Sequence, residues 1–119
     1  MGGNDPFVLL EDADFNLALN EAVRGRCFNS GQVCISPKRF IIHKTHYENF
    51  RTGLIDKLTQ VKVGDPMDRN NQMGPMARED LYQNLLHQLE NIPESYKIVY
   101  QRLDLKKPFF PITVIEGTD

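Results

Sequence analysis

Residue types able to do chemistry gather in one short stretch, Cys27 to Phe40, "CFNSGQVCISPKRF", which holds both cysteines of the chain. A cysteine acts as a nucleophile only as thiolate, so a working thiol needs a site that lowers its pKa or supplies a base. The residues before Cys34 suit such a site. Ser30 and Gly31 are small and let substrate and backbone approach closely. Asn29 and Gln32 carry amides, and the Cys34 backbone N–H can donate to a developing oxyanion. Plainer readings compete. A cysteine in a loop after a helix is commonly a small buried hydrophobe. A disulfide between Cys27 and Cys34 needs an oxidising compartment. A metal clip needs further ligands, and His43, His46 and His87 lack zinc-like spacing with the cysteines, so no metal is expected. Composition and spacing therefore give two free thiols: Cys27 packing on a helix, and Cys34 either a loop hydrophobe or a nucleophile.

The elements around this loop can be read from periodicity. Residues 6–10 form a short apolar run, expected as a buried strand. Asp12 or Asp14 can cap a helix running to Cys27, with Phe15, Ala18, Leu19, Ala22 and Val23 on its apolar face. Asn29-Ser30-Gly31 is loop chemistry. Residues 39–43 read as a strand. A second helix carries the stripe Tyr47, Phe50, Leu54, Leu58 and Val61, with Thr45 and Glu48 in a capping-box pattern at its start. Residues 64–76 make a polar loop longer than a simple turn needs, so a functional role is expected. A third helix spans residues 79–91, with Leu81, Leu85, Leu86 and Leu89 on one side and Pro93 after it. Strands follow at 96–100 and 109–115. Strands alternating with helices predict an α/β fold, a largely parallel sheet with flanking helices.

Composition narrows the function classes. A chain of 119 residues suits one domain. Net charge is -2 with both signs interspersed, so no basic stripe offers a nucleic-acid partner. No apolar run approaches membrane-spanning length, and no membrane association is expected. The N-terminus shows no signal-peptide pattern, and two cysteines without one point to a reducing, cytoplasmic setting. Both ends read as cuts through a larger domain.

The motifs match a known family along the whole chain. "FNSGQVC", Phe28 to Cys34, resembles the active-site cysteine motif of the aldehyde dehydrogenase superfamily. "GGNDPFVLLEDADFNLAL" resembles the family segment that begins Glu-Leu-Gly-Gly, and its distance to Cys34 fits. "VGDPMDRNNQMGPM" and "FFPITVI" resemble the family's Gly-Asp-Pro…Gly-Pro loop and Phe-x-Pro-Thr-Val strand. Within the superfamily, the variants around Gly2-Gly3 and Gly74-Pro75 look most like bacterial succinate-semialdehyde dehydrogenases.

That resemblance implies a chemistry and a set of roles. Residues 1–119 would be a cysteine-bearing part of the catalytic domain, without the dinucleotide-binding domain. Cys34 would attack the aldehyde, hydride would pass to NAD or NADP in the parent enzyme, and a glutamate would activate water to release the acid. Phe28 would line the substrate tunnel, and Asn29 and Gln32 would support the loop and its oxyanion hole. The family glutamate lies two residues before the Gly-Gly pair, one position before Met1, which stands where the family has Leu, so the general base is expected to be absent from this chain. Glu11 and Glu21 do not occupy that position. The Glu-x-Phe-Gly-Pro segment is also missing, Asn4 replaces a common Lys, and Phe28 stands where some succinate-semialdehyde enzymes carry Arg. Arg24 and Arg26 are expected on the solvated helix surface. The isolated chain is thus expected to bind no cofactor and not to turn over. Its partners would be a small-molecule aldehyde and other copies of itself. A non-catalytic, self-associating or structural module is the alternative.

Overall fold

The computed structural model describes residues 3–117. Met1 and Gly2, the start of the N-terminal motif, lie outside the described residues, as do Thr118 and Asp119. In chain order the elements are strand β1 (Pro6–Leu9), helix α1 (Phe15–Cys27), strand β2 (Arg39–Ile42), helices α2 (Tyr47–Gln60) and α3 (Glu79–Glu90), and strands β3 (Tyr96–Gln101) and β4 (Thr113–Gly117). A 3-10 turn, Phe28–Gly31, follows α1 directly.

The α/β order matches the sequence pattern, but the largely parallel sheet is divided. β1 and β2 pair in parallel, with Phe7 opposite Phe40 and Val8 opposite Ile41. β3 and β4 form a separate antiparallel pair, irregular between Ile98 and Tyr100. The connections explain the difference. β1 and β2 are joined by a helical crossover, which returns the chain in the same direction. β3 and β4 are joined by residues 102–112, which form no helix and turn the chain back.

Asp14 caps α1, its carboxylate accepting from the Leu17 N–H at 3.0 Å. The inner faces of α1, α2 and β1–β2 meet in one core, built from Leu9, Leu19, Ala22, Cys27, Phe50, Leu54, Leu58 and Val61. Phe50 sits among rings: Phe7 and Phe40 lie at 6.3 Å and Phe15 at 6.5 Å between centroids. The other face of the parallel pair is open, with Val8 53% and Ile41 52% exposed.

Three features of the elements differ from the sequence expectation. α2 begins after His46, and Thr45 does not cap it. A turn through His43–His46 engages the Thr45 hydroxyl with His43 Nδ1 at 2.8 Å instead. β4 begins at Thr113, not Phe109, because Pro108 and Pro111 cannot donate to a ladder. Phe110 instead meets the Tyr82 ring edge-on at 5.1 Å. The leucine side of α3 has no buried residue; Leu85 and Leu89 line an open apolar cleft of about 680 Å³.

β4 is fastened to α2 by polar contacts. Tyr47 Oη donates to Glu116 Oε1, and the Arg51 guanidinium lies 3.5 Å from the same carboxylate. The bond to Glu116 pushes the Tyr47 phenol up to about 12 and holds the Glu116 carboxyl below its ordinary value.

Candidate functional site

Helix α1 delivers the two cysteines to different surroundings. Cys27, its last residue, is 7% exposed within the core, and burial pushes its thiol pKa up. A buried thiol of that kind is inert. Cys34 is exposed, and both thiols are free.

Between them the backbone turns sharply. Asn29, Ser30 and Gly31 all have positive φ, at 48°, 57° and 72°. Two non-glycine residues there cost conformational energy and persist only when their surroundings hold them. Gln32 is the main brace. Its N–H donates to the Asn29 carbonyl at 3.0 Å, and its Nε2 reaches the carbonyls of Asn29 and Pro75, each at 3.3 Å. Its Oε1 accepts from the Ala77 N–H at 2.8 Å. Ser30 Oγ donates to the Gly74 carbonyl at 2.8 Å. The long loop 64–76 therefore serves as a wall for the cysteine loop. The Asn29 amide adds one long bond, 3.5 Å, to the Gln32 carbonyl.

Cys34 occupies a turn closed by the Ser36 N–H on the Val33 carbonyl at 3.0 Å. Among the described residues its own N–H has no acceptor. Phe28 stands beside the loop, 65% exposed. The N-terminal segment runs against this turn. A β-carbon at Gly3 would fall 1.8 Å from the Cys34 carbonyl oxygen, so only glycine fits that approach. Lys38 Nζ donates to the Gly3 carbonyl, and Arg39 Nη2 donates to the Asn4 carbonyl at 2.9 Å.

Glu11 and Glu21 make no hydrogen bond to the cysteine loop. Glu21 is bound by Arg24, whose hydrogen bonds hold its carboxyl below the ordinary value, and Glu11 is exposed after β1. Arg24 is on the solvated surface as expected, but Arg26 is a correction. Its guanidinium is half-buried behind the cysteine loop and donates to Ser36 Oγ at 3.0 Å. Sequence periodicity missed it because the helix face it occupies is solvated only if the following loop does not fold back. The Gly3 approach to Cys34, the Lys38 contact to Gly3 and the Arg39 contact to Asn4 were likewise invisible, since each joins residues more than 30 positions apart.

No helix N-terminus among the described residues is suited to a dinucleotide's pyrophosphate. A pyrophosphate favours a helix N-terminus free of negative charge. Here α1 is capped by Asp14, α2 carries Glu48 in its first turn, and α3 carries Glu79 and Asp80. Among the described residues no group of His, Cys, Asp and Glu is arranged to hold a metal, and no helix is long and apolar enough to cross a membrane.

Comparison with known proteins settles the family. The sequence profile of the aldehyde dehydrogenase family matches residues 1–119. The chain belongs to the aldehyde dehydrogenase family. Among similar relatives is the Escherichia coli succinate semialdehyde dehydrogenase [NAD(P)+] Sad, 48% identical over 90 residues, 76% of this chain and 20% of that protein. The Mycobacterium bovis succinate-semialdehyde dehydrogenase [NADP(+)] 1 is 36% identical over 118 residues, 97% of this chain and 26% of that protein. Among solved structures, a betaine aldehyde dehydrogenase from Staphylococcus aureus in complex with NAD+ superposes with a TM-score of 0.88 at 31% identity, covering 100% of this chain and 25% of that one. A succinate-semialdehyde dehydrogenase from Burkholderia pseudomallei gives 0.87 at 28% identity, again over 100% of this chain and 25% of that one. The chain thus spans about a fifth to a quarter of the length of the relatives it matches.

One consequence of the Gly3 approach is measurable. Gly3→Ala forces the backbone at Cys34 to move, because the contact is with main-chain atoms that cannot rotate away. A displacement of about 1 Å at a reacting group costs up to about 10²-fold in rate. Acylation of Cys34 by an activated ester is expected to slow by that order in Gly3→Ala, read by mass spectrometry of the Cys34 peptide, with an unchanged rate showing that the approach is not tight in solution.

Proposed function

We propose that this chain is the cysteine-bearing part of the catalytic domain of an NAD(P)-dependent aldehyde dehydrogenase, with Cys34 as nucleophile. The contrast between the thiols is the observation that supports this most: Cys34 is exposed on a braced turn, while Cys27 is buried in the core. The Cys34 thiolate adds to the aldehyde carbonyl carbon. A C–S bond forms and the carbonyl electron pair moves to oxygen, where the Cys34 N–H is available to receive it. Gln32 and Asn29 keep the turn in shape, and Phe28 lines the approach to the thiol.

The remaining steps are assigned to other parts of a longer enzyme. A nicotinamide supplies the hydride acceptor, and no described residues cradle one. Glu21 is engaged by Arg24 and is not placed as the base. The 119-residue chain alone is therefore inactive in aldehyde oxidation. Succinic semialdehyde is the substrate favoured by the names of the relatives. Its carboxylate clamp lies elsewhere, since Arg24 binds Glu21 and Arg26 binds Ser36. The setting is cytoplasmic.

The test puts this chain in place of the matching segment of the full-length E. coli relative. The chimera should form NAD(P)H from succinic semialdehyde, and Cys34→Ser should abolish it. A folded chimera with no Cys34-dependent turnover overturns the reading.

The open face of β1–β2 favours a second reading, association between copies. Parallel strands are normally covered on both faces, and Val8, Ile41 and Leu10 are 53%, 52% and 61% exposed. Light scattering should give a dimer or larger species for the isolated chain; a monomer at high concentration removes this reading.

A further inference from the structure

We infer that Arg26 is a positioning residue that clamps the Cys34 loop from behind at two points. Its link to chemistry rests on the reading of Cys34 as nucleophile. Arg24, two positions earlier, is 76% exposed and paired with Glu21, whereas Arg26 turns inward. At one point Arg26 Nη1 donates to Ser36 Oγ at 3.0 Å. Ser36 is 2% exposed, and its hydroxyl donates in turn to the Gly25 carbonyl at 3.1 Å. At the other point the guanidinium lies under Gly31: a β-carbon there would stand 2.9 Å from its central carbon. Gly31 and Ser36 bracket the segment that carries Cys34, so one rigid plane spans both arms of the turn.

The cost of this arrangement argues that it has a use. No carboxylate pairs with Arg26 among the described residues, and burial lowers its pKa from the ordinary value. The group stays charged at neutral pH. A partly buried cation without a counter-charge is unfavourable, and simple packing would be better served by an apolar side chain. A planar guanidinium offers what methionine or lysine does not, a donor for Ser36 and a flat surface for the Gly31 backbone together. The clamp also sits beside Asn29 and Ser30, the positive-φ residues that need external support.

Hydrogen exchange of the 119-residue chain tests this, read by mass spectrometry on wild type, Arg26→Met, Arg26→Lys, Ser36→Ala and the Arg26→Met/Ser36→Ala double variant. Loss of a charged hydrogen bond should speed exchange across residues 29–36 about 10-fold or more in Arg26→Met. Exchange in α2 should stay at the wild-type rate, which separates positioning from general destabilisation. Ser36→Ala should act in the same direction, the double variant should add little to Arg26→Met, and Arg26→Lys should restore part of the protection. Unchanged exchange in residues 29–36, or equal acceleration in α2, overturns the inference. The readout does not require Cys34 to react. A loosened loop in Arg26→Met, with a wild-type Cys34 that accepts no acyl group, would sink the nucleophile reading and leave the clamp standing. Normal Cys34 acylation with loop exchange unmoved in Arg26→Met would do the reverse.

Discussion

Cys34→Ser is expected to remove covalent acylation of this chain by an activated ester, and Cys27→Ser to leave it intact. The two substitutions change the same atom type seven positions apart in sequence, so their difference isolates environment. Cys34 is exposed on a turn whose N–H is available, while Cys27 is sealed in the core with a raised pKa. A serine hydroxyl at position 34 is a far weaker nucleophile than a thiolate, and no described base is placed to activate it. The acylation rate should fall by at least about 10³-fold, in line with the size of nucleophile knock-outs in other enzymes. In the chimera with the full-length relative, the same substitution should abolish NAD(P)H formation to a similar extent. Equal acylation in wild type and Cys34→Ser would mean that the turn is ordinary surface and that its likeness to the family motif carries no chemistry here.

The sequence disclosed what depends on local pattern and withheld what depends on distant contacts. Helix α1 and its Asp14 cap follow from a side chain three residues from its partner N–H. The buried stripe of α2, Phe50, Leu54 and Leu58, follows from its period. The family was legible because its motifs are contiguous. The division of the sheet was not, since it depends on whether 102–112 crosses over or turns back. The Thr45 capping pattern was present in residue types, but the His43 ring captured the hydroxyl first. Arg26, Gly3 and Lys38 entered the site only through chain reversals that no local window sees. At the site, then, the exposed cysteine was readable and the contacts that hold its loop, apart from those of Gln32 and Asn29, were not.

Phe50→Ala is expected to be among the most destabilising single substitutions in the chain. Phe50 is 2% exposed and touches the rings of Phe7, Phe15 and Phe40, so it joins β1, α1 and β2 at one point. Truncating a buried phenylalanine costs about 3–5 kcal/mol in lost burial and cavity formation. A domain of ordinary stability has roughly 5–15 kcal/mol in total. Loss on that scale lowers Tm by about 10–20 °C, measured by circular dichroism. Val8→Ala supplies the contrast, because Val8 lies on the open face of the same strand pair at 53% exposure and its loss should stay within about 0.5 kcal/mol. If the two variants melt together, the core does not lie on the Phe50 side of the parallel pair. The inward placement of Cys27 would then lose its footing as well, since the same cluster that buries Phe50 also buries that thiol and leaves Cys34 as the accessible one.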